Sequence, residues 1–146
     1  MKSLIVFYSL TGNCKRIANE FNEKYPSDIL EIKLKRGFKK PKMNFINSFI
    51  GGFQAVTKRT PEINHLDINL NEYNQIILGT PVWASTMAPA VRTFIKKYNI
   101  ENKKIILFLS SKGHAGNTFS DIKNILNKNN EILETKEYIE ETSKTK

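Results

Sequence analysis

Three short segments hold residues whose types and spacing suit binding chemistry. The first is Ser9-Leu10-Thr11-Gly12-Asn13-Cys14. It offers hydroxyls, a flexible glycine and the first free N–H groups of a following helix. Such groups bind a phosphate through backbone donors and the helix dipole. The dipole alone is worth about 0.3–1 kcal/mol at a helix end, so several N–H bonds must act together. Ser, Thr and Asn are also ordinary helix caps, and that plainer reading stands beside the first. The second segment is Thr80-Pro81-Val82-Trp83-Ala84-Ser85-Thr86, expected to be a loop. Its Trp83 offers a flat apolar wall for a planar ring, or else folds back into the core. The third is Ser110-Ser111-Lys112-Gly113-His114-Ala115-Gly116-Asn117. Its two glycines let backbone N–H groups approach a heteroaromatic edge. A lone His on such a loop is more often an exposed residue than a catalyst.

Three loops can act together only if the fold gathers them. Residues 4–8, 75–79 and 104–109 are short apolar runs. Their length and β-branched content suit strands buried on both faces. Residues 29–34 and 131–139 mix apolar with charged side chains, as edge strands do. Helical spacing appears in 13–25, 88–98 and 118–128, each with one apolar stripe. Strand and helix alternate, which argues a parallel sheet wrapped on both faces. The expected fold is an α/β doubly wound five-stranded parallel sheet in the order 2-1-3-4-5. Ligands in such sheets bind outside the carboxyl ends of the strands, where all three segments should lie.

Two further expectations concern the rest of the chain. Residues 44–56 carry apolar side chains at helical spacing, interrupted by Gly51 and Gly52. A kinked or two-piece helix is expected there, at a cost of about 1 kcal/mol per Gly relative to Ala. After the fifth strand only polar or charged residues follow, 140–146. The final helix should be short or absent, one sheet face thinly covered, and self-association as a homodimer a consequence. One domain is expected over 1–146.

Composition narrows the setting. The 146 residues include 40% hydrophobic and 25% charged side chains, which excludes a disordered chain. The longest apolar runs are five residues, against the roughly 20 a membrane-spanning helix needs. No signal peptide is recognisable at the start. A single cysteine fits a cytoplasmic, reducing setting, and alone it makes no zinc site. The net charge is +9, and residues 1–60 hold 12 basic against 4 acidic groups. Lys33, Lys35, Arg36, Lys39, Lys40 and Lys42 form one basic run. A solvated connection is the plainer reading of that run; a nucleic-acid or anionic surface is the other. No nucleic-acid reader motif accompanies it.

Several uses of this architecture fail on particular residues. A dinucleotide site wants G-x-G-x-x-G after the first strand, and only Gly12 is present. The Walker P-loop pattern is absent. A receiver domain needs acids after the first strand, and none is there. A low-molecular-weight tyrosine phosphatase needs Arg six positions after its Cys; Glu20 follows Cys14. What remains is a phosphate loop, a flat aromatic wall and a Gly-rich edge, which suits a phosphorylated planar cofactor.

The segment LIVFYSLTGNCKRIA closely resembles the FMN phosphate signature of flavodoxins. EYNQIILGTPVWASTMAPAVRTFI is similar to the second flavin loop and following helix of a flavodoxin-like subfamily. FLSSKGHAGNTFSDIK resembles its third loop, and NFINSFIGGFQAVTKRTPEI its long insertion. The resemblance implies FMN as cofactor. Ser9, Thr11, Gly12, Asn13 and the Leu10 N–H would hold its phosphate. Cys14 stands where the pattern usually has Thr, so a hydroxyl donor becomes a weak thiol. A helix N-terminus would lower that thiol's pKa and make it reactive, while a bound phosphate would oppose this. Thr80, Pro81, Val82, Trp83 and Ala84 would flank the flavin ring. Ser110, Ser111, Gly113, His114 and Gly116 would line its pyrimidine side. No Tyr occupies the third loop, where many flavodoxins stack one on the ring.

The implied function is electron transfer to a docked redox partner. The alternative is an FMN-dependent NAD(P)H/quinone-type reductase with its own small substrate. Flavodoxins are typically acidic and this chain is basic, so an acidic partner is expected. The basic run should also make the second reduction potential less negative.

Overall fold

A computed structural model describes residues 2–35 and 59–140. The expected helix over 44–56 and most of the basic run lie outside the described residues. The parallel strands are β1 (Ser3–Phe7), β2 (Asp28–Glu31), β3 (Gln75–Trp83), β5 (Lys104–Ser111) and β6 (Glu131–Ile139). A two-residue strand, β4 (Thr86–Met87), pairs antiparallel with β3. The sheet order is β2-β1-β3-β5-β6 with β4 to one side. Setting β4 aside, this is the expected 2-1-3-4-5. The helices are α1 (Asn13–Lys24), α2 (Pro89–Lys97) and α3 (Thr118–Ile125).

The continuous apolar runs serve both faces of the sheet at once. Successive side chains of a strand point to opposite faces. Ile5, Phe7, Ile77, Ile106 and Phe108 face α1, where Cys14, Ile17, Ala18 and Phe21 meet them. Leu4, Val6, Ile76, Leu78, Ile105 and Leu107 face the other way, against Val91, Phe94 and Ile95 of α2 and Ile122 of α3. Each fully buried Leu, Ile or Phe contributes about 1.5–3 kcal/mol. Near β6 the α1 face is closed by aromatic side chains. Phe21 stacks on Phe108 at 5.3 Å, and Tyr138 meets Phe108 edge-on at 6.4 Å. Beyond them β6 is poorly covered: Leu133 is 45% and Ile139 64% exposed.

The carboxyl ends of β2, β3 and β5 differ from expectation. β5 runs on to Ser111, so Ser110 and Ser111, expected in a loop, close a strand. β2 ends at Glu31 because its partner β1 ends at Phe7. The Ile32 N–H still reaches the Phe7 carbonyl, but Leu34 pairs instead with Ile63, antiparallel. The larger correction is β3, which continues to Trp83 rather than stopping at Gly79. Thr80 and Pro81 extend the parallel ladder beside Leu109 and Ser110. Val82 and Trp83 then pair with Met87 and Thr86. The expected loop over 80–86 is therefore a strand end and a tight hairpin.

Candidate functional site

The turn into α1 is set by Gly12, whose φ of 99° is left-handed; a side chain there would be strained. The first α-helical bond runs from the Arg16 N–H to the Gly12 carbonyl. The N–H groups of Asn13 and Cys14 thus precede the helical ladder and are available as donors. Ser9 Oγ sits inside this turn and accepts from the Gly12 N–H at 3.0 Å and the Lys15 N–H at 3.4 Å. One oxygen already gathers two converging amides, which is the geometry a phosphate oxygen requires. Asn13 Nδ2 donates to Thr11 Oγ1 at 3.3 Å and ties the two polar side chains together.

The hairpin forms the opposite wall. Ala84 and Ser85, with φ of 50° and 69°, make its two-residue turn. Turns of this kind favour Asn-Gly, and each non-glycine here costs roughly 1 kcal/mol. Such strain persists where neighbours over-determine it. Trp83 packs partly on the core and meets Tyr8 edge-on at 5.8 Å. It is half-buried and also lines the cavity, so it serves the wall and the core together.

Between the two walls lies a cavity of about 420 Å³, at the carboxyl ends of β1, β3 and β5. Ser9, Leu10, Thr11, Asn13 and Cys14 line one part. Pro81, Val82, Trp83 and Ala84 line another, and Ser111 and His114 a third. Five other expected residues stand behind these walls. Gly12 caps α1. Thr80 is fully buried and its Oγ1 accepts from the Ala88 N–H at 3.0 Å, starting α2. Ser110 Oγ donates to Glu140 at 3.1 Å. The Gly113 N–H donates to Ser111 Oγ at 3.1 Å. Gly116 packs on Ser85, where a Cβ would come within 2.7 Å of the backbone. A larger cavity of about 510 Å³ lies between 60–65 and the last turn of α2, lined by Lys35, Lys96 and Lys97 among others. It touches none of the three segments.

Ser85, Lys112 and Glu140 also line the smaller cavity; Ser85 and Lys112 fall inside the second and third segments without an expected contact, and Glu140 lies outside all three. Glu140 arrives because β6 runs parallel to β5 and ends beside Ser111, whose carbonyl accepts the Glu140 N–H at 2.6 Å. No sequence signal marks a polar residue after an edge strand as part of a site.

Burial decides between the two opposed expectations for Cys14. It is 1% exposed. Burial pushes its thiol up from 9.0 to about 12, the Glu140 charge adds to this, and a Ser110 backbone hydrogen bond opposes it. Desolvation outweighs the helix dipole, so Cys14 stays a neutral thiol at pH 7.

An amide cradle joined to a flat aromatic wall, within a volume ordinary for small-molecule sites, fits a phosphomonoester carrying a planar ring. Fold and site together define an α/β protein of the doubly wound, phosphate-cradling class. The family model described as Flavodoxin matches residues 2–144, and the chain belongs to the flavodoxin family. Its fold is flavodoxin-like. A flavoprotein from Lactobacillus acidophilus, solved in complex with FMN, is similar with a TM-score of 0.78 and 24% identity, over 93% of this chain and 92% of that one. A putative flavoprotein from Bacteroides eggerthii has a TM-score of 0.79 and 22% identity, over 93% and 87%. Oxidised Flavodoxin 1 from Bacillus cereus is more distant, with a TM-score of 0.53 and 17% identity, over 97% and 87%. No curated protein matches the sequence.

Proposed function

We propose that the protein binds FMN and carries electrons to a protein partner. The observation that carries this reading is the single cavity of about 420 Å³ that joins the α1 amide cradle to the Trp83 wall. The FMN complex of the Lactobacillus acidophilus flavoprotein supports the same cofactor here. When bound, FMN supplies one- or two-electron chemistry. The chain binds and orients it. Ser9, Thr11, Asn13 and the first amides of α1 hold the phosphate. Pro81, Val82 and Trp83 keep water from the ring, and Ser85 and His114 stand at its edge. Lys112 and His114 are exposed on the rim, where a partner would approach.

The basic surplus suits an acidic partner, and a reducing cytoplasm suits the lone buried thiol. The poorly covered side of β6 is the candidate surface for a homodimer. The second reading is an FMN-dependent NAD(P)H/quinone-type reductase. The rim at Lys112 and His114 favours it, because both are exposed and a small substrate would have access there.

The test is the absorption spectrum of purified protein, reduced anaerobically in steps. Flavin bands that bleach with a chemical reductant, but only slowly with NAD(P)H, are expected. A protein that stays colourless with added FMN overturns the proposal. Rapid NAD(P)H oxidation replaces the carrier with the reductase.

A further inference from the structure

The two loops expected at the flavin ring belong to different strands, yet they are fastened together at three points. The Asn117 N–H donates to the Ser85 carbonyl at 2.7 Å. Gly116 lies so close that a Cβ there would sit 2.6 Å from Ser85 Cβ. Thr86 Oγ1 donates to Asp121 Oδ2 at 2.5 Å. Behind Asp121 stands Arg92 of α2, only 3% exposed. Its Nε and Nη2 are buried with no hydrogen-bond partner among the described residues. Burial pushes this guanidinium down and the Asp121 charge raises it again. A buried cation with unpaired nitrogens is costly, and a nearby carboxylate offsets it.

The arrangement has a direction. Ala84 and Ser85 are held left-handed without glycine, a geometry that neighbours must impose. The neighbours that impose it are Asn117 and, through Thr86, Asp121. Trp83 pairs with Thr86 across the hairpin, so whatever fixes Thr86 fixes the ring wall. We propose that Asp121, backed by the buried Arg92, is a positioning residue that locks the Trp83 hairpin to the third loop and so sets affinity for the flavin ring. The inference rests on the FMN reading above and adds to it the residues that hold the ring half of the site in shape.

The test separates ring binding from phosphate binding. Riboflavin carries the ring without the phosphate. Thr86→Val keeps the shape and removes the hydroxyl; Thr86→Ser keeps the hydroxyl. Apoprotein of each variant is titrated with FMN and riboflavin, and binding is read from quenching of the single tryptophan. Thr86→Val should weaken both ligands by the same factor, about 5- to 10-fold for a lost charge-assisted hydrogen bond. Thr86→Ser should stay within about twofold of wild type. Wild-type riboflavin affinity in folded Thr86→Val overturns the positioning role, even if its melting temperature falls. If the Val variant does not fold, Asp121→Asn is read instead. It keeps an acceptor for Thr86 but removes the charge facing Arg92, and a loss of about threefold is expected; no loss overturns the role. Wild-type protein that binds neither ligand overturns the FMN reading itself, a different result from unaffected variants.

Discussion

Two buried residues beside the cofactor cavity set how the protein responds to alkali. Burial pushes the Cys14 thiol from 9.0 to about 12. It pushes the Tyr8 hydroxyl from 10.0 to about 12, and the Glu31 charge adds to this. The unfolded chain releases both protons first, at ordinary values. Their contribution to stability is complete below pH 9 and is lost as the pH rises towards 12. The melting temperature should therefore fall across that window, and in a Cys14→Ala variant it should begin to fall about one unit higher. A profile flat to pH 12 contradicts the buried placement. Glu140 makes a second prediction. It places a carboxylate in the cavity, where it opposes extra negative charge on a reduced cofactor. Glu140→Gln should raise the second reduction potential by on the order of tens of millivolts, read by anaerobic redox titration. An unchanged potential would place that charge too far from the cofactor to matter.

At the scale of elements, the site depends on close packing under the sheet's carboxyl edge. Gly79 lies on β3 just before the strand enters the site. A Cβ there would sit 2.0 Å from Phe108 Cζ. The Phe108 ring is itself fully buried and stacked on Phe21, so it has nowhere to turn. Gly79→Ala should cost about 3 kcal/mol, as overpacking in a tight core does, read from chemical denaturation. A loss below about 0.5 kcal/mol would mean that the ring gives way. The central strands and the three α-helices among the described residues were legible because they carry strong signals: continuous apolar runs, and stripes with a helical period. The hairpin was not. Pro81 reads as a break, and Ala84-Ser85 lacks the Asn-Gly signature of a two-residue turn. Only the pairing of Thr80 and Pro81 with β5 reveals that the strand continues. That the segment from Ser9 to Cys14 would stand at the sheet's carboxyl edge, where it lines the cavity, was legible, since hydroxyls and a glycine before an amphipathic helix are local features. Glu140 was not, because its place depends on the parallel register of β5 and β6.

For the whole molecule, the net charge of +9 is the quantity a partner meets first. In the proposed carrier role it would steer an acidic partner, and screening weakens it beyond about 10 Å at 0.1 M salt. Electron delivery to an acidic acceptor protein should slow by roughly tenfold between about 0.02 and 0.3 M salt, read by stopped-flow. A rate that rises with salt contradicts a basic docking field. The central claim is that α1 holds a phosphate while the hairpin holds a ring. The measurement that tests it most directly is titration of the apoprotein with FMN and with riboflavin. FMN should bind at least about 100-fold more tightly, because several charge-assisted hydrogen bonds depend on the phosphate. Equal affinity for the two, or binding of neither, would contradict it.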